Sequence, residues 1–239
     1  MGALSALIQV AVAAVAGFLL GTGGAVVAAG AVAVVAVPYG WAVGRVRAYP
    51  PNLRGVALFA VDHSWSLANT IAGAGFLAVN LARGHHLDPP RCCRRGRIDI
   101  HEQAMRGYAT TLGNVIAGGT PANERHEDLH VRQARLLGPL YLPLVGLNYV
   151  VFSVLPVWWL YHDHDGYPIT GPGRYFTRGV YLHVWHEAWA YRRDVRDRYG
   201  DLPVPRPGRR LSRRVHRRER LRRGSPGEGD RAHYTNDKT

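Results

Sequence analysis

The first 44 residues form an almost unbroken apolar stretch. No charged side chain occurs between Ala3 and Gly44, and these 42 positions are about twice the roughly 20 residues that one bilayer crossing needs. The sequence Gly21-Thr22-Gly23-Gly24 interrupts the stretch near its middle. Residues 1–46 are therefore predicted to form a transmembrane helical hairpin.

Basic side chains follow this hairpin at once. Arg45, Arg47 and Arg54 lie within ten residues of its end. Basic residues near the ends of spans tend to remain on the cytoplasmic side. We therefore expect a multi-pass protein of the cell membrane with both termini in the cytoplasm.

A second apolar stretch covers residues 138–160. Its length permits a full crossing, but it contains Pro139, Pro143 and Pro156, and Asn148 lies near its middle. Prolines at membrane depth are tolerated where irregular backbone is buried in protein. These features favour a re-entrant or interfacial segment over a single crossing.

The remaining pattern is mixed. Residues 55–62 are predicted to form a short strand and residues 64–82 an apolar helix, while residues 97–101 and 108–117 are rich in β-forming side chains. Helical character follows from Glu124 to about Leu137. The fold class expected is α+β, in a mostly helical membrane protein.

Charge is concentrated at the C-terminus. The chain has 30 Lys and Arg against 17 Asp and Glu, and residues 192–239 hold 16 of the basic and 7 of the acidic side chains. The segment 193–239 is expected to be a basic, disordered tail whose natural partner is a surface of anionic lipid headgroups. No Phe, Trp or Tyr is interleaved with the arginines between Arg206 and Arg231, which argues against nucleic acid as a partner. Its arginines recur at nearly helical spacing: Arg209, Arg210, Arg213, Arg214, Arg217 and Arg218.

One motif contains candidate metal ligands and a candidate general base. His126 and His130 are four residues apart in the predicted helix, so both imidazoles can reach one zinc ion. Glu127 then lies beside the open coordination position, where it can accept a proton from zinc-activated water. These three residues are the candidate ligands and general base of a hydrolytic site.

A catalytic zinc ion usually has three protein ligands, so a third is expected downstream. Glu187 is favoured, with His183 and His186 as alternatives, because all three lie in an aromatic helical segment. If Glu187 binds the same ion as His130, residues 138–160 cannot cross the bilayer once and leave Glu187 on the far side.

The residues 109–116 followed by His126-Glu127-Asp128-Leu129-His130-Val131-Arg132-Gln133 resemble the strand and H-E-x-x-H-x-x-Q core of gluzincin-type metallopeptidases. The similarity is to the metallopeptidase core domain of contractile injection system proteins and to small bacterial membrane proteins that carry this core. It covers about residues 108–145, together with Glu187.

The resemblance implies a zincin-like domain over residues 47–192. It also implies His126, His130 and Glu187 as zinc ligands, Glu127 as general base, and a peptide or protein substrate.

Two other functions remain open. One is a non-enzymatic membrane scaffold acting through its basic tail. The other is a di-iron membrane oxidoreductase, because His85-His86, His162 with His164, and His183 with His186 offer further histidine pairs.

Overall fold

The computed structural model of the protein describes residues 1–160 and 170–199, which are mostly helical with one small sheet. Its helices are α1 (Gly2–Phe18), α2 (Thr22–Arg45), α3 (Leu53–Asp62), α4 (Leu67–Ala82), α5 (Pro89–Cys92), α6 (Glu124–Leu137), α7 (Tyr141–Val154), α8 (Gly171–Arg174), α9 (Tyr181–His183) and α10 (Trp185–Tyr199). Its strands are β1 (Ile98–Ile100), β2 (Thr110–Leu112) and β3 (Val115–Ala117). Short 3-10 turns cover Gly138–Leu140 and Val157–Leu160, and a π-helical turn covers Tyr175–Val180.

Helices α1 and α2 pack against each other in antiparallel fashion, as the interrupted apolar stretch predicts. Close contacts at both ends of the pair depend on glycine: a Cβ at Gly17 would lie 2.5 Å from the carbonyl oxygen of Gly24, and one at Gly2 would lie 2.4 Å from that of Gly40. Gly21 directly precedes the second helix and has a φ of 89°. The hairpin thus turns where the glycines interrupt the sequence.

The prediction of a strand at residues 55–62 is wrong, because these residues belong to α3. The side chain of Asn52 accepts a hydrogen bond from the backbone N–H of Gly55 at 3.0 Å and so caps the helix. Gly55, Phe59 and Asp62 are buried on one face of it. A short apolar run has no period that separates a strand from a buried helix, and here the cap and the tertiary packing favour the helix.

The sheet has the strand order β1-β3-β2. Strand β1 is parallel to β3, whereas β2 is antiparallel to β3 and forms an edge. The β-rich stretch 108–117 is therefore a hairpin of two strands, joined at Gly113 and Asn114. Gly113 has a φ of 60°, and a Cβ there would lie 2.1 Å from the carbonyl oxygen of Asn69. Only glycine suits this turn.

The hairpin and the following residues share one hydrophobic core. Tyr39 and Val43 of α2 are buried in the same cluster as Leu77 of α4 and the strand residues Ile98 and Val115. One face of the C-terminal half of α2 is therefore covered by protein. In the first half of that helix, Val26 and Val27 are each about 70% exposed, as is Val34 just past its midpoint.

Within residues 1–160 and 170–199, two helical stretches are long and apolar enough to cross a membrane, namely α2 and the continuous stretch Glu124–Val154. Helix α1, with 17 residues, is shorter than a full span by the same measure, and α3 with α4 would count as one broken span bent by 87°. The protein thus has the composition of a membrane-associated chain.

After α7 the chain folds back, so that the start of α10 contacts the middle of α7. The backbone N–H of Trp185, at the start of α10, donates to Asn148 Oδ1 in the middle of α7 at 2.8 Å. The rings of Tyr149 and His186 are 5.3 Å apart. Trp158 is fully buried in a small core with Phe152, Val180 and Val184. Helix α7 and the segment that precedes α10 therefore form a returning pair.

Candidate metal centre

The candidate centre is built on the buried face of α6. His126, Glu127 and His130 are each only 6% exposed. The helix confirms the prediction for residues 124–137, and the spacing of four places both imidazoles on one face. Two acidic side chains, Glu124 and Glu127, lie in its first turn, where negative charge is favoured by the helix dipole.

Glu187 reaches this face from α10. Its Oε2 lies 3.2 Å from His126 Nε2, and its Oε1 lies 3.5 Å from His130 Nε2. The two Nε2 atoms are themselves 3.2 Å apart. Among the described residues, these three side chains form the one group of His, Cys, Asp or Glu whose ligand atoms all lie within 4.8 Å of one another.

The spacing of these atoms fits a small cation. Ligands about 2.0–2.1 Å from a tetrahedral zinc ion lie roughly 3.4 Å from one another, and the observed separations are 3.2–3.5 Å. Two imidazole nitrogens and one carboxylate are a donor set that zinc accepts. The residues present therefore fit a metal ion of this kind.

The electrostatics of α10 agree with a charged Glu187 beside a neutral His186. Burial would raise the pKa of Glu187, but the hydrogen bonds with His126 and His130 outweigh burial and hold that pKa well below its usual range. Burial lowers the pKa of His186 to about 4, against the opposing charge of Glu187. Glu187 thus stays ionised beside a neutral His186.

Glu127 has a partner on the edge strand. Thr111 Oγ1 of β2 donates to Glu127 Oε2 at 2.6 Å. This contact orients the carboxylate on the side of α6 that faces the sheet. It was not predicted, because nothing in the local pattern of residues 108–117 indicates which side chain faces α6.

His130 has a partner on its own helix. Its Nδ1 lies 3.0 Å from Gln133 Oε1, and Gln133 Nε2 donates to the backbone carbonyl oxygen of His186 at 2.9 Å. The spacing of three residues between His130 and Gln133 was a signal that their side chains share a helix face. The link to His186 needed the tertiary structure.

Two tyrosines lie against the other side of the centre. The Tyr191 ring is 4.5 Å from the His126 ring, and Tyr181 is 6.5 Å from Tyr191 by ring centroids. Burial and the charge of Glu187 raise the pKa of Tyr181 far above its usual value, and burial also raises the pKa of Tyr191. Both phenols therefore stay protonated beside the ligands.

An ion-pair network fixes the start of α6. Arg97 is 1% exposed and pairs with Asp99, with Glu124 at 2.7 Å and with Asp128. Asp128, the charged residue inside the motif, thus faces away from the ligands and ties α6 to β1.

The other histidines that the sequence offered as ligands do not belong to this three-residue group. His186 is buried, with its Nε2 3.6 Å from Glu187 Oε1, but it lies outside the three-residue group. His183 Nδ1 lies 2.6 Å from the carbonyl oxygen of Gly179. His85 and His86 contact Asn80 and Glu102. His162 and His164 lie outside the described residues, as do residues 200–239, which hold most of the basic tail.

Comparisons with protein-family models, with curated proteins and with solved structures found no match to this chain. The similarity to gluzincins therefore remains a sequence-based expectation. The interpretation of the centre depends on its own geometry.

Proposed function

We propose that the protein is a membrane-bound zinc metallopeptidase with His126, His130 and Glu187 as ligands and Glu127 as general base. The observation that carries the proposal is the position of Glu187. A carboxylate from a distant helix lies within 3.5 Å of both histidine Nε2 atoms of the motif. An incidental pair of surface histidines would have no reason to be buried against such a carboxylate.

The number of ligands favours catalysis over a purely structural metal. Structural zinc sites are closed by four protein ligands, whereas catalytic sites have three and keep one position open. Three residues form the group here. Glu127 follows the first ligand directly and is held by Thr111 rather than by one of the ligands.

The residues of the chain suggest how a peptide bond would be hydrolysed. His126, His130 and Glu187 would hold a zinc ion here, and its Lewis acidity would polarise a carbonyl oxygen and acidify water. Glu127 accepts the proton of the attacking water and then delivers it to the amine that leaves. Thr111 donates to one carboxylate oxygen and leaves the other free to exchange that proton.

The edge strand suggests how substrate would bind. Strand β2 pairs on one side only, with β3, and it carries Thr111 next to the general base. An extended peptide can add to such an edge through main-chain hydrogen bonds. This placement would bring a peptide bond past Glu127.

The location at a membrane rests on the apolar helices. A crossing by α7 would have to be followed by a return, because Trp185 contacts Asn148 and Glu187 contacts His126. We propose that the centre faces the cytoplasm, on the side where Arg45 and Arg47 follow the hairpin.

Metal content is the first test. The full-length protein is purified in detergent, and its zinc and iron are measured by mass spectrometry for the wild type, His126→Ala and Glu187→Ala. One zinc ion per chain, lost in both variants, is the expected result. His85→Ala is a matched control that should keep the zinc. Iron that is unaffected by these changes would support the oxidoreductase instead, and absence of metal would support the scaffold.

Hydrolysis is the second test. Wild type and Glu127→Gln are incubated with a mixed peptide library, and new termini are identified. Glu127→Gln should keep its zinc and lose cleavage by at least about a hundredfold, because glutamine cannot accept the proton. Glu102→Gln, on a loop away from the centre, should cleave normally. Cleavage that survives in Glu127→Gln would refute this role.

A further inference from the structure

Gln133 connects the two helices that carry the candidate ligands. It lies on α6 and is 1% exposed. One end of its amide meets His130, and the other end meets the backbone of His186, next to Glu187. A buried side chain with both ends satisfied at this junction has a more specific role than filling space.

The two contacts determine the orientation of the amide. The backbone carbonyl of His186 can only accept a hydrogen bond, so the amide nitrogen of Gln133 must face it, at 2.9 Å. The amide oxygen of Gln133 therefore faces His130. This assignment does not depend on distinguishing nitrogen from oxygen by their positions alone.

The amide orientation in turn determines the form of the imidazole. The oxygen of Gln133 can only accept, so His130 Nδ1, 3.0 Å away, carries a hydrogen. The lone pair of neutral His130 is then on Nε2. That atom lies 3.5 Å from Glu187 Oε1 and 3.2 Å from His126 Nε2, inside the candidate centre.

The second contact holds α10. The carbonyl of His186 belongs to the first turn of that helix, and Glu187 is the next residue. The amide of Trp185 is held separately by Asn148 of α7. The backbone of the N-terminal turn of α10 is thus held at two points, and at one of them Gln133 links it to the histidine helix.

We infer that Gln133 is a positioning residue of the metal centre, which orients His130 for metal binding and holds the turn that presents Glu187. The inference rests on the proposed metal centre and assigns to it a residue that binds no metal itself. Partners of metal-bound histidines typically change metal affinity or activity by about 10- to 100-fold when removed.

The test is a titration of the metal-free, full-length protein with Co²⁺, followed by visible absorption. Gln133→Met keeps the length of the side chain and removes both hydrogen bonds, so Co²⁺ affinity should fall by about 10- to 100-fold. Gln133→Glu keeps an acceptor for His130 and loses the donor to His186, so its affinity should be intermediate. Gln103→Met, the same change on an exposed loop, should bind as the wild type does.

A packing role and a positioning role differ in the spectrum. A carboxylate opposite Nδ1 makes the imidazole a stronger donor, so Gln133→Glu should shift the Co²⁺ absorption bands. The Co²⁺ spectrum of Gln133→Glu still tests the inference if Gln133→Met fails to fold. An unchanged spectrum in Gln133→Glu, or wild-type affinity in a folded Gln133→Met, would overturn the inference.

The titration distinguishes a failure of the proposed metal centre from a failure of the role assigned to Gln133. Wild-type protein that binds no Co²⁺ would refute the metal centre, and the role of Gln133 with it. If the wild type binds Co²⁺ with no higher affinity than Gln133→Met does, only the role of Gln133 is refuted.

Discussion

Thr111 and Glu127 are joined by a hydrogen bond of 2.6 Å between an edge strand and the helix that carries the histidine motif. The hydroxyl donates to Oε2 of a carboxylate that is 6% exposed. A general base must be held in one orientation to act on a bound substrate. The contact therefore links the sheet directly to the proposed chemistry.

Replacing Thr111 tests that link. Thr111→Val removes the hydroxyl and should lower peptide hydrolysis by about tenfold or more while zinc content stays the same. Thr111→Ser should retain most of the activity. Thr110→Val is a matched control, because Thr110 Oγ1 is buried and has no hydrogen-bond partner among the residues that the structure describes. Equal rates in Thr111→Val and wild type would contradict the proposed role.

Arg135 and Asp62 form a buried ion pair that anchors α6 to α3. Arg135 Nε lies 2.7 Å from Asp62 Oδ1, and Asp62 is 1% exposed. Arg135→Met should lower the free energy of unfolding by about 3–5 kcal/mol, because it leaves a buried carboxylate without its cation. Thermal unfolding in detergent measures this. Arg132→Met, on the exposed face of the same helix, should change it by less than about 0.5 kcal/mol.

The contact between Gly17 and Gly24 predicts which hairpin position tolerates a side chain. A Cβ at Gly24 would lie 2.5 Å from the carbonyl oxygen of Gly17, whereas one at Gly23 meets nothing within 4 Å. Gly24→Leu should force the helices apart and destabilise the protein by about 1–3 kcal/mol. Gly23→Leu should be tolerated. Equal melting temperatures of the two variants would argue against this packing.

The two cysteines should differ in reactivity. Cys92 is buried, accepts from the backbone N–H of Asp99 at 3.0 Å and has a pKa that burial raises to about 12. Cys93 is exposed. A maleimide at pH 7 should label Cys93 and leave Cys92 unmodified until the protein unfolds, which mass spectrometry of peptides will reveal.

The raised pKa of Cys92 also has a consequence for stability. The unfolded thiol ionises near its ordinary value of 9.0 and the folded thiol only near 12. The stability that the neutral thiol contributes is complete below about pH 9 and is lost as the pH rises towards 12. Cys92→Ala should reduce the decline of the melting temperature between pH 9 and 11.

Because α7 and the segment before α10 form a returning pair, α6 and α10 should lie on the same side of the membrane. Single cysteines are introduced at the exposed positions Arg132 and Arg192, in a background with Cys92 and Cys93 replaced by serine. An impermeant maleimide applied to sealed, oriented vesicles should reach both positions from the same side. Gly30→Cys, in the hairpin, should resist labelling. Labelling of the two test positions from opposite sides would contradict the shared centre.

The degree to which the sequence predicted the structure depends on how local each feature is. The helix 124–137 and its histidine pair follow from a spacing of four. The hairpin follows from an uncharged stretch broken by glycines. Residues 55–62 were predicted wrongly, because a run of seven apolar residues before Asp62 suits a buried strand and a buried helix equally.

Glu187 illustrates the limit for the candidate centre. The sequence placed it in an aromatic helical segment with His183 and His186, and spacing alone left all three as possible third ligands. The structure brings Glu187 to both histidines of the motif, leaves His186 beside the group, and directs His183 to the carbonyl of Gly179.

The sequence by itself determined the apolar hairpin, the helix with the candidate metal ligands His126 and His130, and the concentration of basic charge in the tail. These features arise from periodicity and composition over a few turns of helix. Only the tertiary structure decided that Glu187 completes the group, that Thr111 orients Glu127 and that Gln133 links α6 to α10. Such contacts join residues far apart in the chain, and they depend on how buried polar groups find partners when the core closes.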